Sequence, residues 1–282
     1  MKGGWPPCQL RWPNRLILMT SGAAFFDLDK TVIAKSSTLA FGRPLYKAGF
    51  LNRRSLLKAG IAQIVYMMFG ADHDQIEKVR EQLTALTKGW DRFEIERLVK
   101  ETVDEVVAPL VYAEALAIID EHRKNGRRVV VISSSPYEVV KPLAGYLGIS
   151  EVIATRSRIG DDGRYTGELE FYAYASGKAD AIRDLAARDG LSLEDSYAYS
   201  DSYTDRPMLE VVGHPVAVNP DKELRQLANE RDWQVMTFKN PVSVRSRLAE
   251  LPKPDPVVSS AAAASLIGAL VVFWAMRRRA RA

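Results

Sequence analysis

Residues 23–28, Ala-Ala-Phe-Phe-Asp-Leu, form a short apolar run that breaks at two carboxylates, Asp27 and Asp29. Such a run is satisfied as a strand buried on both faces, the habit of strands in a parallel sheet covered by helices. Its C-terminal end opens into a loop, and catalytic loops of open α/β sheets sit at that end. From residue 109 onward short apolar runs alternate with helical periods. A helix is expected over 112–125, stopped by Gly126, then a strand over 129–132 and a helix from Pro136. A strand over 151–154, a hairpin turn at Asp161-Asp162-Gly163, a helix over 177–188 and a strand over 196–199 come next. Helices over 206–212 and 221–231 alternate with strands over 215–218 and 234–238. This alternation predicts an α/β fold, a Rossmann-like parallel sheet with helices on both faces.

Between the first strand and that alternation the rhythm changes. Residues 53–69, 72–87 and 91–107 each carry helical periodicity with little strand alternation. The expected organisation is an N-terminal extension (1–21), a core (22–36 and 108–240) and a helical insertion (37–107), followed by a Pro-rich linker (241–256). The apolar run at 16–19 is too short for a signal-peptide core. Residues 257–276 then run uncharged up to Arg277, Arg278, Arg279 and Arg281. A helix of that length is about 30 Å long, which predicts a single-pass C-terminal transmembrane anchor with the catalytic domain in the cytoplasm.

Composition sets outer limits. An apolar share of 47% and a charged share of 26% exclude global disorder. The net charge of +4 comes from interspersed acids and bases, which argues against a nucleic-acid partner. Cys8 is the only cysteine, so neither an intrachain disulfide nor a thiolate metal cluster can form.

Four short motifs carry chemistry. Asp27 and Asp29, two residues apart, project to the same side of an extended segment, so one can attack while the other moves protons. Alone, the pattern is equally a polar turn. Ser133-Ser134-Ser135 places hydroxyls and N–H groups at a second strand end, where they can hold phosphate oxygens or cap the next helix. Gly177-Lys178 opens a helix with an ammonium that can neutralise a phosphate or stay solvated. Asp201 and Asp205 lie beyond a third strand end and suit Mg²⁺, which takes carboxylate oxygens, waters and phosphate, or serve as helix caps.

In their order and strand-end placement, these motifs resemble the haloacid dehalogenase superfamily, in its branch similar to phosphoserine phosphatases with a helical cap. The resemblance covers about residues 23–240. It implies Asp27 as nucleophile, Asp29 as general acid/base, Ser133 with Ser134 and Lys178 as phosphate-binding groups, and Thr31 as the residue that closes the first loop. It implies Mg²⁺ held by Asp27, the Asp29 backbone carbonyl and Asp201, with Asp205 in support. An acid at position 29 is the mark of members that must protonate an alkoxide, so the expected activity is phosphomonoester hydrolysis. Phosphotransfer through the same intermediate and a non-catalytic binding module are the alternatives.

The substrate is less legible. Phosphoserine phosphatases carry an acid about nine positions past the nucleophile that reads the substrate amine, and this chain has Ser36 there. Loss of that charge argues against phosphoserine unless the pocket is shifted. Residues 35–60 hold Lys35, Arg43, Lys47, Arg53, Arg54 and Lys58 without one acid. That segment is a solvated basic face or a surface for an anionic headgroup or acidic substrate. The expected substrate is therefore a small-molecule or lipid phosphomonoester. His73, His122 and His214 match no motif, and Trp90 and Trp233 are expected to pack.

Overall fold

A computed structural model describes residues 22–51, 84–85 and 87–239. The chain divides into two units, Met1–Ser243 and Val244–Ala282, and the second lies wholly outside the described residues. So do the expected N-terminal extension, the linker, and most of the first two helices of the insertion.

Seven strands form one sheet: β1 (Ala23–Asp27), β2 (Arg128–Pro136), β3 (Glu151–Ile159), β4 (Tyr165–Phe171), β5 (Tyr197–Ser200), β6 (His214–Val218) and β7 (Gln234–Met236). Their order is β4-β3-β2-β1-β5-β6-β7, with β1 at the centre. All pairs are parallel except β3 and β4, which the expected turn at 161–163 joins as an antiparallel hairpin. The described helices are α1 (Ser37–Ala40), α2 (Gly42–Lys47), α3 (Arg92–Val107), α4 (Ala113–Lys124), α5 (Tyr137–Tyr146), α6 (Ser176–Asp189), α7 (Arg206–Glu210) and α8 (Lys222–Glu230).

All five residues of β1 are buried, as its composition required. Successive side chains alternate between the two layers. Ala23 and Phe25 join Val130, Ile132, Ile182, Met208 and Leu224 in a core beneath α6, α7 and α8. Phe26 meets His122 of α4 on the opposite face. Full burial of a side chain such as Phe25 contributes about 1.5–3 kcal/mol. In α3, Asp91 accepts from the backbone N–H groups of Phe93 and Glu94, and Ile95, Val99, Val103 and Val107 bury one stripe at four-residue spacing.

The chain leaves and rejoins the sheet layer at one place. The Ala34 N–H donates to the Leu110 carbonyl at 2.8 Å, and the Tyr112 N–H donates to the Val32 carbonyl at 3.0 Å. Ile33 and Val111 thereby form an antiparallel bridge, and the intervening residues begin and end side by side.

The expected membrane helix is corrected by this fold. Among the described residues no helix is long and apolar enough to cross a membrane, so the fold is an α/β sheet layered with short amphipathic helices. Residues 257–276, where the span was expected, lie outside the described residues, and a cytoplasmic domain on a single-pass anchor has no support.

Candidate active site

The parallel strands bring the motifs to one edge because each ends in polar residues. Asp27 pairs in register with Ile132, one residue before Ser133, and Phe26 pairs with Tyr199, one residue before Ser200. Asp27, Ser133, Ser200 and Asp201 therefore cluster at the C-terminal ends of β1, β2 and β5, all buried.

Lys178 reaches this edge from the first turn of α6. Its Nζ lies 2.7 Å from Asp27 Oδ1 and 2.7 Å from Asp205 Oδ2, and the side chain is 3% exposed. Gly177 makes that approach possible: a Cβ there would stand 2.3 Å from the Tyr172 carbonyl oxygen. Ser200 Oγ also donates to Asp205 Oδ2, at 2.7 Å. Asp205 thus anchors the lysine, while no hydrogen bond from a described residue reaches Asp27 Oδ2.

The loop after β1 turns sharply at Lys30, whose φ is +62°. The Val32 and Ile33 N–H groups both donate to the Leu28 carbonyl, each at 3.0 Å, and close the loop through the backbone. Thr31 is fully buried, and its hydroxyl finds no partner among the described residues. Asp29 is gripped at both oxygens. The Ser37 N–H donates to Oδ1 at 2.6 Å and Ser135 Oγ to Oδ2 at 2.8 Å.

The serines divide unequally. Ser133 is buried, and its Oγ accepts from the Ser135 N–H at 3.1 Å, which leaves its own proton for a ligand oxygen. The Ser134 side chain points to solvent, while its carbonyl accepts from Thr155 Oγ1 at 2.8 Å. The sequence motifs name Ser135 only as the third serine of its run and give no role to Ser37 or Ser200. Period-two alternation was the available signal for Ser135, because it puts residue 135, not 134, on the side of 133.

Electrostatics set the character of the site. Burial pushes the Asp27 carboxyl well above the ordinary range; Lys178 pulls it down, but Asp205, Asp201 and Asp29 push it up further. Burial likewise raises Asp201, to about 7, with Lys30 opposing and Asp205 adding. Burial disfavours the Lys178 ammonium, yet Asp205 and Asp27 outweigh it and keep it protonated. Three buried carboxylates therefore face one buried ammonium, and a divalent cation would correct the imbalance. Among the described residues no group of three or more His, Cys, Asp or Glu side chains is arranged to hold a metal alone. A site of two carboxylates, a backbone carbonyl and waters suits a hard cation that keeps part of its hydration shell.

His122 and His214 stand apart from this edge, and His73 lies outside the described residues. His122 is buried against Phe26 and Tyr197, with Nε2 2.7 Å from the Tyr199 hydroxyl, and His214 stacks on Tyr197. Trp233 packs on the core and Trp90 against Phe50. A cleft of about 510 Å³ between α2 and α3 is lined by Lys35, Arg43, Lys47 and Glu105. A larger one, about 850 Å³, is lined by Tyr197, His214 and Trp233 and holds none of the clustered acids, so the site is assigned by its chemistry rather than by cavity size.

Residues 24–210 match the haloacid dehalogenase-like hydrolase family. The chain belongs to that family. It is an enzyme of the family's phosphoserine-phosphatase-like branch. A probable phosphatase of Mycobacterium tuberculosis is 51% identical over 260 residues, 91% of this chain and 89% of its own length. A phosphoserine phosphatase of the same organism is 34% identical over 265 residues, covering 93% of this chain and 82% of that one. A protein of unknown function from Bordetella pertussis superposes with a TM-score of 0.68 at 29% identity, over 77% of this chain and 98% of its own.

Proposed function

We propose that this phosphatase of the haloacid dehalogenase-like family hydrolyses small-molecule phosphomonoesters in two Mg²⁺-dependent steps, through an aspartyl-phosphate on Asp27. The observation that carries the reading is the Asp27–Lys178–Asp205 array, which pins one nucleophile oxygen and leaves the other to attack. Attack by Asp27 Oδ2 on phosphorus breaks the ester P–O bond, and Asp29 gives its proton to the departing oxygen. Water then attacks the same phosphorus, Asp29 takes the water's proton, and the Asp27 carboxylate is restored as phosphate leaves. Lys178 and the Ser133 hydroxyl hold the phosphoryl oxygens as their charge grows. Asp27, Asp201 and the Asp29 carbonyl would hold Mg²⁺, which supplies further neutralisation of the phosphate when bound.

Phosphoserine is the second reading, on the strength of the relative that bears its name. Ser36 counts against it. That residue precedes α1 without a capping hydrogen bond from its side chain, and it brings no charge to meet an ammonium. Transfer to an alcohol acceptor would use the same intermediate and is separated from hydrolysis by product analysis with added glycerol.

The test is Mg²⁺-dependent phosphate release from an aryl phosphate, followed by a screen of amino-acid, sugar and lipid phosphates. Asp27→Asn is expected to lose activity by at least about 10³-fold, the scale of losing a covalent nucleophile. Retained turnover in that variant would rule out the aspartyl-phosphate route.

A further inference from the structure

Ser135 sits on β2, buried, two residues beyond Ser133. Three oxygens surround its hydroxyl: Asp29 Oδ2 at 2.8 Å, Ser37 Oγ at 2.9 Å and Thr38 Oγ1 at 3.1 Å. A hydroxyl has one proton to give and two lone pairs to fill. The proton goes to the carboxylate, Ser37 Oγ donates to one lone pair, and Thr38 Oγ1 fills the other. The one proton Ser135 can give is thus committed to Asp29, while Ser37 and Thr38 hold its oxygen from the other sides. On its other side, Asp29 Oδ1 accepts from the Ser37 N–H at 2.6 Å. Asp29 is only partly buried, on the loop beside Lys30, so these two hydrogen bonds set its direction where packing does not.

We propose that Ser135 is a positioning residue for Asp29, selecting Oδ2 as the oxygen that serves the leaving group. The proposal rests on the acid/base reading of Asp29 given above. A backbone N–H only donates, so Oδ1 stays an acceptor and Oδ2 is the oxygen that carries the proton. When the ester P–O bond breaks, that proton passes to the leaving oxygen, which keeps the bonding pair. The Ser135 hydroxyl then donates to the vacated Oδ2, by rotation about one C–O bond. In the second step Oδ2 takes a proton from the attacking water and donates to Ser135 Oγ, whose own proton turns to Thr38 Oγ1, a contact in which either hydroxyl can donate.

The consequence is a dependence on leaving group. An aryl oxygen departs as a weak base and needs little protonation, whereas an alkyl oxygen needs it fully. With saturating Mg²⁺ and the full-length chain, Ser135→Val is expected to lower kcat for alkyl phosphates about tenfold more than for p-nitrophenyl phosphate, with KM little changed. That is part of the roughly 10²–10⁴-fold that a general acid supplies. Ser135→Thr has the same side-chain shape as the valine and keeps a hydroxyl, so it is expected to restore the wild-type ratio. Asp29→Asn combined with Ser135→Val is expected to be no slower than Asp29→Asn alone. Melting temperatures of the Thr and Val variants guard against a folding defect. Equal slowing of every substrate by Ser135→Val, or no difference between Val and Thr, overturns the proposal while leaving the site reading intact. An Asp29→Asn enzyme without any leaving-group dependence overturns both.

Discussion

Phe26 and Tyr199 stack face to face across β1 and β5, with ring centroids 4.4 Å apart and planes 3° from parallel. Each directly precedes a site residue: Asp27 follows Phe26, and Ser200 and Asp201 follow Tyr199. The stacked pair therefore fixes the register of the two strands that deliver the acids, and its loss is a test of that coupling. Tyr199→Ala is expected to cost about 3–5 kcal/mol, the range for emptying a buried aromatic site. Tyr199→Phe keeps the stack, loses the hydroxyl contact with His122, and is expected to cost about 1 kcal/mol. Urea unfolding measures both, and activity is expected to fall with the alanine but not with the phenylalanine.

Gly177→Ala tests how Lys178 is delivered. The added Cβ would stand 2.3 Å from the Tyr172 carbonyl oxygen, a backbone atom that cannot swing aside. The first turn of α6 must shift, and the ammonium moves away from Asp27 with it. Activity is expected to drop by at least about tenfold, because small misplacement of a charge-stabilising group is costly. Wild-type turnover in this variant would show that the lysine tolerates displacement.

Cation binding is expected to compete with protons at Asp201. Burial raises its carboxyl to about 7, and a metal ligand must be deprotonated. The sign follows: below pH 7 the proton holds the site, so the apparent affinity for Mg²⁺ weakens as pH falls, and above it the affinity levels off. Isothermal titration calorimetry at pH 6 and pH 8 measures this, with proton release expected at the lower pH. Asp201→Asn is expected to remove its own share of the proton competition, leaving that of Asp27, and to weaken binding about 10–100-fold, and chelator is expected to abolish activity.

His122 gives the fold a separate pH dependence. Burial first, and then Arg127, lower its imidazole to about 4, whereas an unfolded histidine titrates near 6.5. Between these values the unfolded chain binds a proton that the folded chain refuses, so stability rises with pH across that window. The contribution is complete above about 6.5, is lost progressively on acidification and levels off below about 4. It amounts to at most roughly 3 kcal/mol. His122→Phe keeps a ring against Phe26 and is expected to flatten the urea-derived stability profile between pH 4 and 6.5. An unchanged slope would mean that another group carries the titration.

Much of this arrangement was readable from the order of residues. Strand ends are where apolar runs meet polar ones, so the sequence places Asp27, Ser133 and Asp201 at strand ends, and the parallel register brings those ends to one edge. Lys178 announced itself through the glycine before it. Ser37 and Ser200 could not be found this way, because their partners, Asp29 and Asp205, come to them through loop geometry that no local period encodes. β2 runs on to Pro136 instead of ending at residue 132, which turns the Ser134 side chain outward and that of Ser135 inward. The uncharged run at 257–276 showed the limit of composition: it set a length sufficient for a membrane, but the described fold provides no such helix.

The bridge between Ile33 and Val111 holds two distant points of the chain a hydrogen bond apart. Closing a long loop onto such a clasp scales only logarithmically with its length, about 0.6 kcal/mol for each doubling. A lineage can therefore lengthen, shorten or rewrite the sequence between these points while the sheet hardly registers the change. Selection for new substrates and selection for a durable reactive centre then act on different stretches of the same gene.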